Sequence, residues 1–369
     1  MTLPHLTSHA DAMVLPVRAA PGGGFTCGVF DAEGAGILAS VHRFADQPPR
    51  LQPDRRPEGD SSATLPEAIF GGVFLNHFGH FLMESLGRLW MANDPAFRHL
   101  PILVQAPWGR PLLGKPDDFS AIILELLEID PARLQFVTAP VQVGLLHLPE
   151  QLYGFHNFHA PAPEFVAFLR VAQANIRRLA EAAPAPAARV FMSRSDWQDQ
   201  APTRGIAAGL RPFEDYLRGQ GWHIVQPETL SLRDQLVIYA TAEQVMICEG
   251  SAQHSCILLP DMPGAVFVLL RRPHPWDVAR VTRQFGGLGT RATALQEVEK
   301  SYAFGQPAWS GMTVLDYTRI SEILQAAGTV AEPFTAWAGM KEDEVRHSLR
   351  TYIGAIREEP SFLDFMRKL

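Results

Sequence analysis

The 369-residue chain has few cysteines, few lysines and no long apolar run. Its three cysteines, Cys27, Cys248 and Cys256, are widely spaced and form neither a disulfide framework nor a metal-binding pattern. No apolar stretch reaches the length that crosses a bilayer, and the first residues lack the basic start and apolar core of a signal peptide. We therefore expect a soluble protein of the cytoplasm, which could still dock at the inner face of the membrane.

The chain also lacks an excess of positive charge. It carries 32 Lys and Arg against 39 Asp and Glu, a net charge of −7, and nothing in this balance indicates nucleic-acid binding. Lysine is scarce among the basic residues, and arginine suits bidentate contacts with phosphate and carboxylate groups. A GC-rich genome would produce the same bias. With 47% hydrophobic residues, the chain has ample apolar content for a core.

Strands alternate with helical patterns along most of the chain, which predicts an α/β fold with parallel or mixed sheets. The stretch 182–188, rich in Ala and Pro, predicts a domain boundary. We therefore predict an N-terminal α/β domain at 1–183 and a C-terminal α/β domain at 184–312. The alternation in the second domain is of the doubly wound, nucleotide-binding type. A helical segment at 313–369 would pack back across the junction.

The most informative stretch follows a short apolar strand and runs from Asn76 to Trp90. If a helix begins at Asn76, a turn of about 100° per residue gathers its apolar residues on one face. The opposite face then carries His77, His80, Glu84 and Arg88. A carboxylate beside a histidine can tune a general base, and the same spacing could instead hold a metal. A third alternative is a surface helix whose histidines pack against loops.

Within this group we predict that His80 accepts a proton and that Glu84, one helical turn away, orients its ring. Arg88 would keep Glu84 ionised and lower its basicity. His77 would contact the acceptor substrate, which gives up this proton, or line a cleft. The alternative is that Glu84 and Arg88 form a structural ion pair that fixes the domain interface.

A strand, a turn of small residues and a helix follow one another at residues 244–259. The turn and the helix start are Glu249-Gly250-Ser251-Ala252-Gln253-His254. Free amides at such a helix start can bind phosphate, and Ser251 could donate a further hydrogen bond. Glu249, at the strand end, could accept from ribose hydroxyls. A plain tight turn is the alternative, and the glycine spacing of a serine nucleophile elbow is missing.

Another strand of the same domain ends at Ser193-Arg194, with Arg204 close by in sequence. An arginine at a strand's carboxyl end, in a domain that also carries a phosphate-binding turn, could clamp a diphosphate. A surface salt bridge is the alternative.

Together these stretches resemble glycosyltransferase family 61. The family's N-terminal motif, His-Phe-Leu-x-Glu-x-Leu-x-Arg-Leu-Trp, is matched by residues 80–90. Its later features are matched by Ser193-Arg194, by the run 221–231 with the following Gln235, and by Gly250-Ser251-Ala252. Two positions depart from the pattern. Gly209-Leu210 stands where many members have Asn-Glu, and Glu249 stands where many have His.

The resemblance implies a fold of the GT-B type, in which two Rossmann-like domains face a cleft. It also implies an inverting hexosyl- or pentosyltransferase that needs neither a cofactor nor a metal. The donor would be a nucleotide sugar, UDP-linked in many members, and the acceptor a glycan or glycolipid. The predicted donor-binding residues are Ser193, Arg194, Arg204, Gln235, Glu249, Gly250, Ser251, Ala252 and His254. Bacterial relatives are linked with capsular or exopolysaccharide assembly, so we expect contact with membrane-bound assembly machinery.

Two other functions stay open on the sequence. One is a metal-dependent hydrolase that uses His77, His80 and Glu84. The other is a non-catalytic relative that binds a nucleotide sugar or a glycan, in line with the two departures from the family pattern.

Overall fold

The computed structural model describes residues 4–19, 25–43, 56, 63–107, 118–184 and 187–367. These residues form a mixed α/β protein, as the alternation of patterns predicted. The chain divides into unit 1, Met1–Leu179 with His254–Pro260, and unit 2, Ala180–Gln253 with Asp261–Leu369. Within the described ranges, no helix is both long enough and apolar enough to span a membrane.

Unit 1 is built on a six-stranded mixed sheet. Its strands are β1 (Leu6–Ala19), β2 (Phe25–Phe30), β3 (Ala63–Val73), β4 (Ile102–Gln105), β5 (Leu134–Phe136) and β6 (Val141–Pro149). The strand order is β2-β1-β6-β3-β4-β5. Strand β3 runs parallel to β4 and β6, whereas β1 pairs antiparallel with β2 and β6. The sheet core includes Val14, Phe70 and Leu146.

Among the described residues, three α-helices accompany this sheet. They are α1 (Phe78–His80), α2 (Phe119–Leu126) and α3 (Pro163–Ala182). The helix α2 begins with a side-chain cap, because Asp118 accepts from the amide of Ser120. The long helix α3 buries Phe165, Phe168 and Ile176 on one side, which is the stripe that its sequence spacing predicts.

Unit 2 contains two sheets. The strands are β7 (Arg189–Met192), β8 (Ile206–Ala208), β9 (His223–Val225), β10 (Gln244–Cys248), β11 (Ala265–Leu269), β12 (Ala292–Leu295), β13 (Val298–Tyr302) and β14 (Met312–Leu315). Five parallel strands form a sheet of order β12-β11-β10-β7-β9, and the other three form a small sheet of order β13-β14-β8. The chain starts the large sheet at β7, adds β9 on one side, and then builds β10, β11 and β12 on the other. This is the predicted doubly wound arrangement, and its direction reverses between β7 and β10.

The helices of unit 2 surround these sheets. They are α4 (Ser195–Gln200), α5 (Leu210–Gly219), α6 (Leu232–Thr241), α7 (Pro275–Gly287), α8 (Tyr317–Ala326), α9 (Trp337–Ile356) and α10 (Pro360–Arg367). Helix α6 starts with a side-chain cap, in which Ser231 accepts from the amide of Asp234. Tyr317 of α8 and Trp337 of α9 share one buried core with Phe213 of α5. The C-terminal helices therefore contribute to the core of unit 2, and their packing across a domain junction stays a prediction.

Candidate functional site

The polar helix of unit 1 begins later than predicted and is not a regular α-helix. His77 caps it instead of Asn76, and the short helix α1 continues as a π-helix at Phe81–Ser85 and a 3-10 helix at Leu86–Met91. Every residue of the π and 3-10 segments is buried. The predicted polar face is therefore accessible only near its start, at His77 and His80. Short π-helical segments are rare and occur frequently at functional sites.

Glu84 lies at the centre of this group and is buried. Its Oε1 is 2.5 Å from Nδ1 of His80, and its Oε2 is 2.9 Å from Nε2 of His42. Burial alone would raise the pKa of Glu84, but the hydrogen bonds and charges of the two histidines outweigh it and place the pKa below 4.5. The carboxylate is ionised at neutral pH and holds the ring of His80, whose side chain is 29% exposed.

Arg88 does not pair with Glu84, contrary to both sequence predictions for this residue. Its guanidinium is buried and donates to the carbonyls of Pro149, Ala39 and Val41, at 2.5, 2.8 and 3.1 Å. A 3-10 helix turns about 120° per residue in place of about 100°, which rotates Arg88 away from Glu84. Burial lowers the pKa of Arg88 to about 9. Arg88 therefore tethers surrounding backbone, and histidines keep Glu84 ionised.

The chain that follows β6 packs against this helix, because β3 and β6 are parallel neighbours and end at the same edge of the sheet. A Cβ on Gly87 would lie 2.3 Å from the carbonyl oxygen of Tyr153, so a larger residue would push the two segments apart. The ring centroids of Phe155 and His77 lie 6.2 and 4.9 Å from that of His80. These three rings form the accessible part of the site.

His156, in the same segment, is held neutral. Its Nε2 is 3.2 Å from the carbonyl oxygen of Gln151, and its Nδ1 is buried with no hydrogen-bond partner among the described residues. Burial lowers the pKa of His156 to about 4, and the positive charge of Arg43, His42 and Arg88 adds to this effect against the backbone hydrogen bond. His42 and His156 were both missed in the sequence, since neither belongs to a periodic pattern.

Two of the predicted donor stretches of unit 2 lie at the carboxyl ends of its parallel strands. Ser193 and Arg194 follow β7, and the turn Glu249–Ala252 follows β10. Strands β7 and β10 are paired, and the direction of the doubly wound sheet reverses between them. Ligands of such sheets bind in the crevice at this point. The structure therefore brings two separately predicted stretches together where a nucleotide would be expected.

The helix that follows this turn differs from the prediction. It is a 3-10 helix, Ser251–Leu258, and it begins two residues before the predicted α-helix. Gly250, Ser251 and Ala252 are partly exposed, so a ligand can reach them. His254 lies in the segment His254–Pro260, which groups with unit 1, unlike the other predicted donor residues.

Arg194 is buried and stabilises the turn Glu249–Ala252 through hydrogen bonds to backbone carbonyls. Its terminal nitrogens donate to the carbonyls of Glu249 and Arg204, at 3.1 and 3.2 Å. Burial lowers the pKa of Arg194, although Cys248 and Glu249 raise it in part. The predicted direct clamp on a diphosphate is not what the terminal nitrogens of Arg194 form here, because backbone carbonyls occupy them. Ser193 donates to the buried Glu214.

The sequence predicted that Glu249 could accept from ribose hydroxyls, but its carboxylate is already occupied in the structure. It is buried, and its Oε2 accepts from the amides of Arg271 and Arg272 at 3.0 and 3.1 Å. Its Oε1 lies 3.1 Å from Nε of Arg272. The side chain of Arg271 donates to the carbonyls of Trp309 and Arg204, and burial lowers its pKa to about 9. Both arginines were missed, because only the pairing of β10 with β11 brings them beside the turn.

Gln235 also differs from its predicted role. Its side chain donates to the carbonyls of Pro227 and Leu230, at 2.8 and 3.3 Å. These bonds brace the turn between β9 and α6. The amide nitrogen of Gln235 therefore stabilises a loop of unit 2 and is not directed at a ligand.

A metal site is not evident in the described residues. They contain no group of three or more His, Cys, Asp or Glu side chains that could hold an ion. Both oxygens of Glu84 already accept from histidines. Among the described residues, His77, His80 and Glu84 are therefore not assembled with a further ligand into a metal-binding group.

Residues 78–267 match the sequence model of the family Glycosyltransferase 61. The match spans more than half of the 369 residues and includes His80, Glu84, Arg194 and Gly250. No curated protein matches the chain. A family match of this extent defines a glycosyltransferase. The particular family is glycosyltransferase 61, to which this chain belongs.

Proposed function

We propose that the protein transfers a sugar from a UDP-linked donor to a glycan or lipid-linked acceptor, with inversion at the anomeric carbon. The observation that supports it most is the chain of contacts from His42 through Glu84 to His80. An accessible imidazole is backed by a buried carboxylate, which a second, buried imidazole holds from the other side. An attacking hydroxyl needs a base, and this arrangement orients one.

In the proposed reaction the N–H at Nδ1 of His80 donates a hydrogen bond to the ionised Glu84, and Nε2 accepts the proton of the acceptor hydroxyl. The hydroxyl oxygen bonds to the anomeric carbon as the bond to the diphosphate oxygen breaks. Configuration inverts because the attack comes from the face opposite the leaving group. Glu84 stabilises the imidazolium that results. His77 and Phe155, whose rings neighbour His80, would contact the acceptor sugar.

On the donor side, the amides of Gly250, Ser251 and Ala252 would bind the diphosphate at the start of the 3-10 helix, with Arg194 holding the turn. Donors placed in this way stabilise the charge that develops on the leaving group, so the proposal requires no metal. It includes the GT-B arrangement that the family resemblance implies. It also includes a cytoplasmic location at the inner face of the membrane, where capsular or exopolysaccharide precursors are assembled.

The test is an activity screen of the purified protein against nucleotide sugars and oligosaccharide acceptors. The expected result is release of a nucleoside diphosphate with one donor, a product of inverted anomeric configuration by NMR, and full activity in excess EDTA. Loss of activity on chelation, with recovery in Mn²⁺ or Mg²⁺, would contradict the metal-independent mechanism. Nucleotide-sugar binding without turnover would favour the non-catalytic alternative.

A further inference from the structure

We propose that Arg272 contacts the diphosphate of the donor and that Glu249 is a positioning residue that holds Arg272 in place. The inference rests on the proposed function and deepens it. It concerns the segment after β11, which lies outside the motifs that carry the family resemblance.

The pairing of strands puts Arg272 beside the phosphate-binding turn. Strands β10 and β11 are parallel, with Cys248 opposite Leu269. The amide of Glu249 donates to the carbonyl of Leu269 at 2.9 Å, which continues the ladder to the end of both strands. The chain after β11 therefore leaves the sheet next to Gly250, at the same carboxyl edge.

Three arginines meet at this edge, and they differ in how many of their terminal nitrogens already donate hydrogen bonds within the protein. Arg194 and Arg271 are buried and use their terminal nitrogens on backbone carbonyls. Arg272 has a side chain that is 29% exposed, and its Nε lies 3.1 Å from Oε1 of Glu249. Within the described part of the chain, its two terminal nitrogens make no hydrogen bond. These two nitrogens form the planar pair of donors that matches two oxygens of a phosphate.

The charge at this edge favours an anion. Three guanidinium groups, of Arg194, Arg271 and Arg272, meet the buried carboxylate of Glu249 here. The carboxylates of Glu228 and Asp277 also act on Arg194 and Arg272. Arg194 and Arg272 both act to lower the pKa of Arg271, in addition to its burial. A diphosphate bound at the exposed end of Arg272 would offset this repulsion, and in a partly desolvated site the attraction is stronger than in water.

Glu249 restrains Arg272 on the side away from the proposed ligand. Oε1 of its carboxylate lies 3.1 Å from Nε of Arg272, an ion-pair distance without hydrogen-bond geometry, and Oε2 accepts from the amides of Arg271 and Arg272. Glu249 thereby holds the backbone of Arg272 by hydrogen bonds and its guanidinium by charge. An arginine already held in one rotamer loses less entropy when it binds a phosphate.

The first experiment measures binding of inorganic pyrophosphate and of UDP by calorimetry. Arg272→Ala should bind both ligands roughly 10- to 100-fold more weakly, the usual effect of losing charge-assisted hydrogen bonds. The matched control is Arg283→Ala, which removes an exposed arginine of α7 and should leave both affinities within about two-fold of wild type. Arg272→Lys keeps the charge without the planar pair and should also weaken binding, which covers the case in which Arg272→Ala fails to fold.

The outcomes separate this inference from the proposed function. If the wild-type protein transfers sugar and the folded Arg272 variants bind pyrophosphate as tightly as it does, the inference is overturned and the function stands. If the wild-type protein binds neither pyrophosphate nor UDP and transfers no sugar from any donor, both fail.

A second experiment tests the positioning role of Glu249. Glu249→Asp keeps the negative charge but shortens the side chain, so it should weaken pyrophosphate binding when Arg272 is present. In the Arg272→Ala background the same change should have little further effect, because the two residues act as one unit. An equal loss in both backgrounds would mean that Glu249 acts on the loop alone, and would overturn its role in holding Arg272.

Discussion

Replacement of His42 by Leu tests the buried half of the histidine and carboxylate group. The change removes the donor that lies 2.9 Å from Oε2 of Glu84 and leaves that buried oxygen without its partner. An unsatisfied buried polar group costs about 1–3 kcal/mol, and an ionised one tends to the upper end of this range. For a unit of this size, each kcal/mol corresponds to roughly 2–4 °C in the melting temperature. The variant should therefore melt roughly 2–12 °C below wild type at pH 7.

The pH dependence of this loss gives a sharper test. In the wild type, burial raises the pKa of Glu84 but His42 and His80 bring it below 4.5. A depressed pKa contributes stability above 4.5 that is lost as the pH falls through the folded value. Without His42, only His80 opposes the effect of burial, so the pKa of Glu84 rises. The variant then protonates Glu84 at a higher pH than wild type, so its deficit in melting temperature should shrink toward acid.

The assay is thermal unfolding of wild type, His42→Leu and His42→Gln between pH 7 and pH 4. Glutamine keeps a side-chain donor at this position, so His42→Gln should recover part of the lost stability. A His42→Leu protein that melts with wild type at every pH would refute the stabilisation of the Glu84 carboxylate by His42.

Two further predictions concern the chain around this group. Gly87→Ala would place a Cβ 2.3 Å from the carbonyl oxygen of Tyr153, and it should cost about 1–3 kcal/mol in thermal unfolding. Gly339→Ala, where an added Cβ would meet no atom of another part of the chain within 4 Å, should be neutral or stabilising. The folded pKa of His156 is about 4 against 6.5 for an ordinary histidine, so the unfolded chain binds more protons between these values and stability should fall as the pH drops from 6.5 to 4. His156→Gln should flatten this part of the stability profile, whereas His159→Gln, at an exposed position, should not.

The local contacts of the candidate site could be predicted from the sequence. His80 and Glu84 are four residues apart, and that spacing brings side chains together in α- and π-type windings alike, as the 2.5 Å contact shows. The same reasoning was wrong for Arg88. The helix changes to 3-10 winding after Ser85, and no periodic pattern reveals where a helix changes its pitch.

The long-range contacts could not be predicted, because they depend on strand pairing and loop paths. His42 reaches Glu84 from a segment 42 residues earlier in the chain, and Arg272 reaches Glu249 only because β11 lies beside β10. The alternation of patterns in unit 2 did predict a doubly wound sheet. Because Arg194 and Gly250 each follow a strand of that sheet, the alternation also placed both residues at its carboxyl edge. The sequence predicted that the carboxylate of Glu249 is available to a ligand. The amides that donate to this carboxylate belong to the chain after β11, so they could not be recognised from the sequence around Glu249.

The measurement that tests the central claim most directly is the transfer rate of His80→Ala, compared with its affinity for the nucleoside diphosphate. If His80 is the base, the variant should fold, bind the nucleoside diphosphate as wild type does, and lose about 10²–10⁴-fold in transfer rate. A folded His80→Ala protein that keeps its transfer rate within a few-fold of wild type would contradict the claim.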